Sequence, residues 1–176
     1  MKTTLSFVSL LILTFVLLLG ITMKTQSEDL LEGKIVSYKS DGETVSGFLV
    51  TPEGKGPFPA IVMIHEWWGL NDQVKGEAKK LAKEGYVVLA VDLYRGKVTT
   101  DPDEAHELLR GLPEDRAVRD LLAAVSYLKT LPNVKKDKIG SIGWCMGGGY
   151  SLSLAVNSPD LASCVIYYGR LITDKD

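Results

Sequence analysis

The sequence lacks an excess of charge of either sign. Its 176 residues carry 20 Lys and Arg against 22 Asp and Glu, a formal net charge of −2, and the two signs are interspersed along the chain. No basic patch follows, which excludes a general electrostatic attraction to nucleic acid. Internal repeats and low-complexity linkers are absent too, so nothing divides the foldable part into more than one domain. Cysteine is scarce: Cys145 and Cys164 are the only two, enough for a single disulfide in an oxidising compartment. Histidine is equally scarce, and both His65 and His106 precede Cys145.

A long hydrophobic run, by contrast, is present. Leu5 to Thr22, LSFVSLLILTFVLLLGIT, is uncharged, follows Lys2 and precedes Lys24, Glu28 and Asp29. It reads as a signal peptide or N-terminal membrane anchor over residues 1–27 rather than a buried helix. Its length of 18 residues reaches bilayer-spanning range, and GITMKTQS offers no small-x-small cleavage site, which favours the uncleaved anchor. Either way the domain formed by residues 28–176 is expected outside the cytoplasm, periplasmic or extracellular, with the membrane a partner only through this segment. Roughly 150 residues suffice for one hydrophobic core.

Beyond the run the elements alternate. KIVSYKSDGETVSGFLVTP holds two β-rich stretches around Asp41-Gly42, a dipeptide suited to a tight hairpin. GPFPAIVMIHEWWG contains an apolar run that fits a strand buried on both faces and ending at His65 and Glu66. NDQVKGEAKKLAKEG sets Val74, Ala78, Leu81 and Ala82 at helical spacing and stops at Gly85, and YVVLAVD is the next buried strand. Two further helices are predicted in DEAHELLRG and EDRAVRDLLAAVSYLKTL, the second with Val118, Leu121, Leu122, Val125 and Leu128 on one face and Pro132 beyond its end. KIGSIGWC and ASCVIYYG complete the pattern as strands flanking a helix that begins near Met146. The alternation predicts an α/β fold, a mostly parallel sheet with helices on both faces.

Cys145 stands in Gly143-Trp144-Cys145-Met146-Gly147, a G-x-C-x-G spacing directly after a strand and directly before a helix. This is the nucleophile-elbow arrangement with cysteine in the serine position. The turn is too tight for side chains two residues to either side, hence the glycines. It also aims the sulfur at a helix N-terminus, whose free N–H groups and dipole favour a thiolate. The Met146 N–H, next after the nucleophile, is a natural oxyanion donor. Cys164 lacks glycine flanks and reads as core, although a disulfide or redox pair with Cys145 stays open.

In chain order HEWWGLND, GYVVLAVDLYRG, GWCMGG and YYG, spread over nearly all of residues 34–170, resemble the dienelactone hydrolase family of α/β-hydrolases. The resemblance implies a Cys-His-Asp triad that opens small lactones and cleaves related carboxylic esters, with no cofactor. It implies Cys145 as nucleophile, Glu66 as the thiol's resting-state partner, and the Trp67 backbone N–H as second oxyanion donor. It also implies a sheet that runs on beyond the strand following the nucleophile helix, and places the triad acid and histidine there. This chain ends at Asp176, and Asp174 and Asp176 come before any further strand.

The residues read alone leave alternatives open. Glu66 at the end of an apolar strand needs a partner or a cleft, or else faces solvent. His65 reads as structural or pocket-lining rather than as the base, and His106 as a surface residue. Asp92 reads as the organiser of the loop entering LYRG. Trp67, Trp68, Tyr94 and Tyr168 either wall an apolar pocket or pack in the core. Arg95, Arg110 and Arg170 fall in no motif that assigns them a substrate. The functional expectation is a cysteine-dependent hydrolase of small lactones or esters; the alternative is a non-catalytic, membrane-anchored binding domain of the same fold.

Overall fold

The computed structural model describes residues 31–171. The expected export segment over 1–27, and Asp174 and Asp176, lie outside the described residues. No helix among the described residues is long and apolar enough to cross a membrane.

The hairpin forms where Asp41 and Gly42 predict it, because both residues take positive φ, 47° and 82°, the backbone twist a two-residue turn requires. It joins β1 (Gly33–Ser40) to β2 (Glu43–Val50), paired antiparallel from Gly33↔Val50 to Ser40↔Glu43. β2 in turn lies antiparallel to β4 (Val87–Val91). From there β4, β3 (Phe58–Ile64), β5 (Val134–Trp144) and β6 (Ser163–Tyr167) run parallel, in the order β1-β2-β4-β3-β5-β6. The sheet is therefore mostly parallel, and its parallel strands end at one common edge.

Helices cover both faces. On one side lies α1 (Asp72–Lys83), opened by Asn71, whose side chain accepts from the Val74 N–H at 3.0 Å, and closed before Gly85. Its Ala78 and Ala82 pack with Phe48, Val50, Met63, Val88 and Ala90. On the other side α3 (Glu114–Thr130) and α4 (Met146–Asn157) bury Leu121, Leu128 and Leu154 against Leu49, Val62, Ile64, Leu89 and Val91. Truncating one such leucine to alanine typically costs ~2–5 kcal/mol. α2 (Pro102–Arg110) starts at Asp101, which accepts from the Asp103 and Glu104 N–H groups.

Burial grades across the sheet. Every residue of β4 is buried, as its unbroken apolar run requires. β6, one of the two edge strands among those described, alternates between half-buried and exposed. The predicted face of α3 needs one correction: Val118 and Leu122 are only half-buried, while the charged Asp120 is fully buried.

Candidate active site

At the C-terminal edge of the parallel strands the chain leaves β5 at Trp144 and turns into α4 through Cys145, held at φ 53° and ψ −119°. A non-glycine residue there stores on the order of 1–3 kcal/mol, so neighbouring structure must enforce it. Three backbone bonds do so: the Cys145 N–H donates to Tyr167 O at 3.0 Å, and the Gly148 and Gly149 N–H groups donate to Cys145 O at 3.1 and 3.3 Å. The glycines of the elbow are explained by what a Cβ would strike. At Gly143 it would run into the Gly147 carbonyl, and at Gly147 it would stand 2.6 Å from the His65 carbonyl oxygen. The first turn of α4 is thus pressed against both its own strand and the end of β3. Met146 opens the helix, and an N–H at that position has no carbonyl one turn earlier to bond.

Glu66 and Tyr168 follow from the strand order. β3, β5 and β6 lie side by side and parallel, so Glu66 after β3 and Tyr168 after β6 flank the end of β5, where Cys145 sits. The Tyr168 hydroxyl donates to Glu66 Oε1 at 2.6 Å. That hydrogen bond, a small desolvation and the neighbouring charges of Glu66 and Cys145 push the Tyr168 phenol up to about 12. Glu66 therefore has a partner, as a carboxylate at a strand end requires, but the partner is a tyrosine.

His65 and Tyr94 take the structural, core-packed side of the alternatives open to them, not the pocket-lining one. His65 is fully buried. Its Nε2 accepts from the Leu93 N–H at 3.3 Å, which leaves the proton on Nδ1 to donate to Glu66 O at 2.5 Å. Burial pushes its pKa below the ordinary 6.5, so the ring is a neutral pin between two loops and not a pocket wall. Tyr94 is only 4% exposed. Its ring meets His65 edge-on and its hydroxyl donates to Met146 Sδ at 3.2 Å, so it props the first residue of α4 from below.

Trp67 and Trp68 are half-buried and contact each other at a centroid distance of 4.7 Å. His106, exposed on α2, meets Trp67 edge-on at 4.8 Å, a contact its surface position did not announce. The loop that carries them is clamped by the one following β4. The Thr99 N–H donates to Trp68 O at 3.1 Å, and Gly69, at φ 90°, backs onto the Lys97 carbonyl too closely for any side chain. Asp92 shapes that second loop, accepting from the Tyr94 N–H at 3.1 Å and the Gly96 N–H at 2.5 Å. A concavity of about 540 Å³ is lined by Asp103, Glu104, His106, Glu107 and Arg110 on α2. The predicted aromatic pocket does not coincide with it.

Sequence reasoning missed the charged clasp behind the site. The Asp120 carboxylate, buried on α3, accepts from Ser40 Oγ at 2.6 Å and pairs with Arg95 Nη2 at 2.7 Å. Arg95 and Arg119 both reach Glu43 as well, at 3.1 and 3.0 Å. This commits Arg95 to tying the loop after β4 to the hairpin and α3. The signal was present: Asp120 falls on the same helical stripe as Ala117, Leu121 and Ala124, where an acid needs a partner. Cys145 and Cys164 are both free thiols, so the disulfide alternative is not realised. Cys164 Sγ instead bonds Ser151 O at 3.3 Å and lies 3.4 Å from Ser151 Oγ.

Comparison with known proteins gives this arrangement its relatives. The model of the Dienelactone hydrolase family matches residues 45–176. "Protein usf" of Aquifex pyrophilus is 35% identical over 144 residues, covering 78% of this chain and 62% of its own. A "Putative carboxymethylenebutenolidase" of Aquifex aeolicus is 33% identical with the same coverages. Among solved structures, the dienelactone hydrolase-like promiscuous phosphotriesterase P91 from metagenomic libraries superposes with a TM-score of 0.74 at 30% identity, over 82% of this chain and 62% of that one. The chain spans about three fifths of the length of the curated relatives it matches.

Proposed function

The chain belongs to the dienelactone hydrolase family, and from that premise we propose that it serves a cysteine-dependent hydrolase of small lactones or carboxylic esters. The observation that carries the reading is Cys145, a free thiol held at positive φ at the N-terminus of α4 by backbone bonds and a glycine on either side. In this chemistry the sulfur attacks the carbonyl carbon, a C–S bond forms, and the carbonyl oxygen becomes an oxyanion stabilised by the Met146 and Trp67 N–H groups. Collapse breaks the C–O bond, the proton given up by the thiol ends on the alcohol oxygen, and water then cleaves the thioester, releasing the carboxylic acid and restoring the Cys145 thiol. His65 is excluded as the base because both of its nitrogens are engaged. The partner is a small-molecule ester or lactone, and thiol acyl transfer of this kind calls for no cofactor. The uncharged Leu5–Thr22 run supports action outside the cytoplasm.

A second reading, a non-catalytic binding domain with this fold, is favoured by one observation: among the described residues neither histidine is bonded to Cys145. Hydrolysis of p-nitrophenyl acetate by the complete reading frame, set against Cys145→Ser and Cys145→Ala, separates the two. The hydrolase reading expects thiol-dependent release of p-nitrophenolate, and equal release by all three proteins rejects it.

A further inference from the structure

Tyr168 combines three features that packing alone does not require. It is 72% exposed, so burial gains little from its position. Its backbone is at φ 40°, in the left-handed region that a bulky residue ordinarily avoids. And its hydroxyl makes a 2.6 Å bond to a residue 102 positions away. What enforces the strain is the next residue: Gly169 passes so close over the first turn of α4 that a Cβ on it would stand 2.7 Å from Gly148 Cα. A Cβ on Gly148 would likewise stand 2.9 Å from Tyr167 O. The triple glycine after Cys145 and the glycine of YYG thus form one contact between bare backbones, and that contact throws the Tyr168 side chain across the end of β5 to Glu66.

Resting on the reading of Cys145 as nucleophile, we infer that Tyr168 is a positioning residue: its hydroxyl fixes the Glu66 carboxylate across the end of β5 and takes up part of its negative charge beside the thiol. A carboxylate left bare there repels the developing thiolate, whereas one that accepts a strong O–H hydrogen bond repels it less. Tyr168 therefore works through Glu66 and needs no contact with substrate. Its phenol, pushed up to about 12, remains a donor throughout the neutral range.

The test is the rate of iodoacetamide alkylation of the full chain near neutral pH, resolved by peptide so that Cys164 serves as internal reference. Tyr168→Phe slows Cys145 about threefold. Glu66→Gln accelerates it, and Tyr168→Phe combined with Glu66→Gln matches Glu66→Gln alone. Two results overturn the inference: an unchanged Cys145 rate in Tyr168→Phe, or a slowing that persists when Glu66 is already glutamine. A wild-type Cys145 no more reactive than Cys164 counts against the nucleophile reading instead. The pairing is then decided separately by ultraviolet titration of the phenols: Glu66→Gln brings the ionisation of one tyrosine from about 12 back toward 10.0, and it does so only while Tyr168 is present. No such change in Glu66→Gln overturns the inference without reference to Cys145.

Discussion

Cys145 stands in the turn that leaves β5 and Cys164 on the adjacent strand β6, and the chain treats the two thiols in opposite ways. Around Cys145 the backbone is forced to φ 53°, and the residues two positions to either side, Gly143 and Gly147, lie too close to backbone carbonyls to carry a side chain. Around Cys164 the strand is regular, its partner on β5 is Ser141, and its sulfur is satisfied by Ser151, whose Oγ in turn lies 2.8 Å from Ser141 Oγ. The difference teaches where strain is tolerated. A buried row of small polar side chains satisfies a thiol and asks nothing of the backbone, whereas a presented thiol needs a turn that only surrounding structure can hold.

Four substitutions or conditions probe that contrast, in descending order of effect. Gly143→Ala puts a methyl group into the Gly147 carbonyl, so it is expected to cost about 3 kcal/mol or more and to abolish the distinct reactivity of Cys145. Urea denaturation paired with thiol labelling reads both effects. Cys145→Ala removes acyl transfer from p-nitrophenyl acetate altogether while the urea midpoint stays close to that of the wild type, because the strained position loses a sulfur and no backbone bond.

Acidification is third. His65 is neutral and buried, with its pKa pushed below 6.5, so below that pH the unfolded chain binds a proton that the folded chain refuses. Stability is complete above 6.5 and falls as pH drops beneath it, by up to about 1.4 kcal/mol per pH unit until the folded-state pKa is reached. Chemical denaturation between neutral and mildly acidic pH measures the slope, and His65→Gln is expected to remove this contribution to it. The smallest effect belongs to Cys164→Ser, which keeps a hydrogen-bonding group beside Ser151. It is expected to change stability by about 1 kcal/mol or less and to leave acyl transfer untouched, and a large loss of acyl transfer in that variant would erase the contrast between the two regions.

The hairpin at Asp41-Gly42, the buried strands β3 and β4 and the elbow were all legible in the sequence, because each is a local pattern: a turn dipeptide, an apolar run, glycines at fixed spacing. Glu66 was legible as an anomaly, a carboxylate at the end of an apolar strand. Its partner was not, since the meeting of Glu66 and Tyr168 depends on strand order, which places β5 between β3 and β6, and no local period encodes that. His65 and Tyr94 looked like pocket candidates from their positions at strand ends. Their burial follows from the loops after β3 and β4 packing on one another, a tertiary fact. Asp120 was the reverse case: the helical stripe announced it, and only the missing partner, Arg95, kept it from being read.

Cys145 is the group expected to accept the acyl chain. Peptide-resolved mass spectrometry of the full chain, quenched early after mixing with p-nitrophenyl acetate, measures this directly. The acetyl group is expected on the peptide bearing Cys145 and not on that bearing Cys164. Equal acetylation of the two thiols, or none on Cys145, would contradict it.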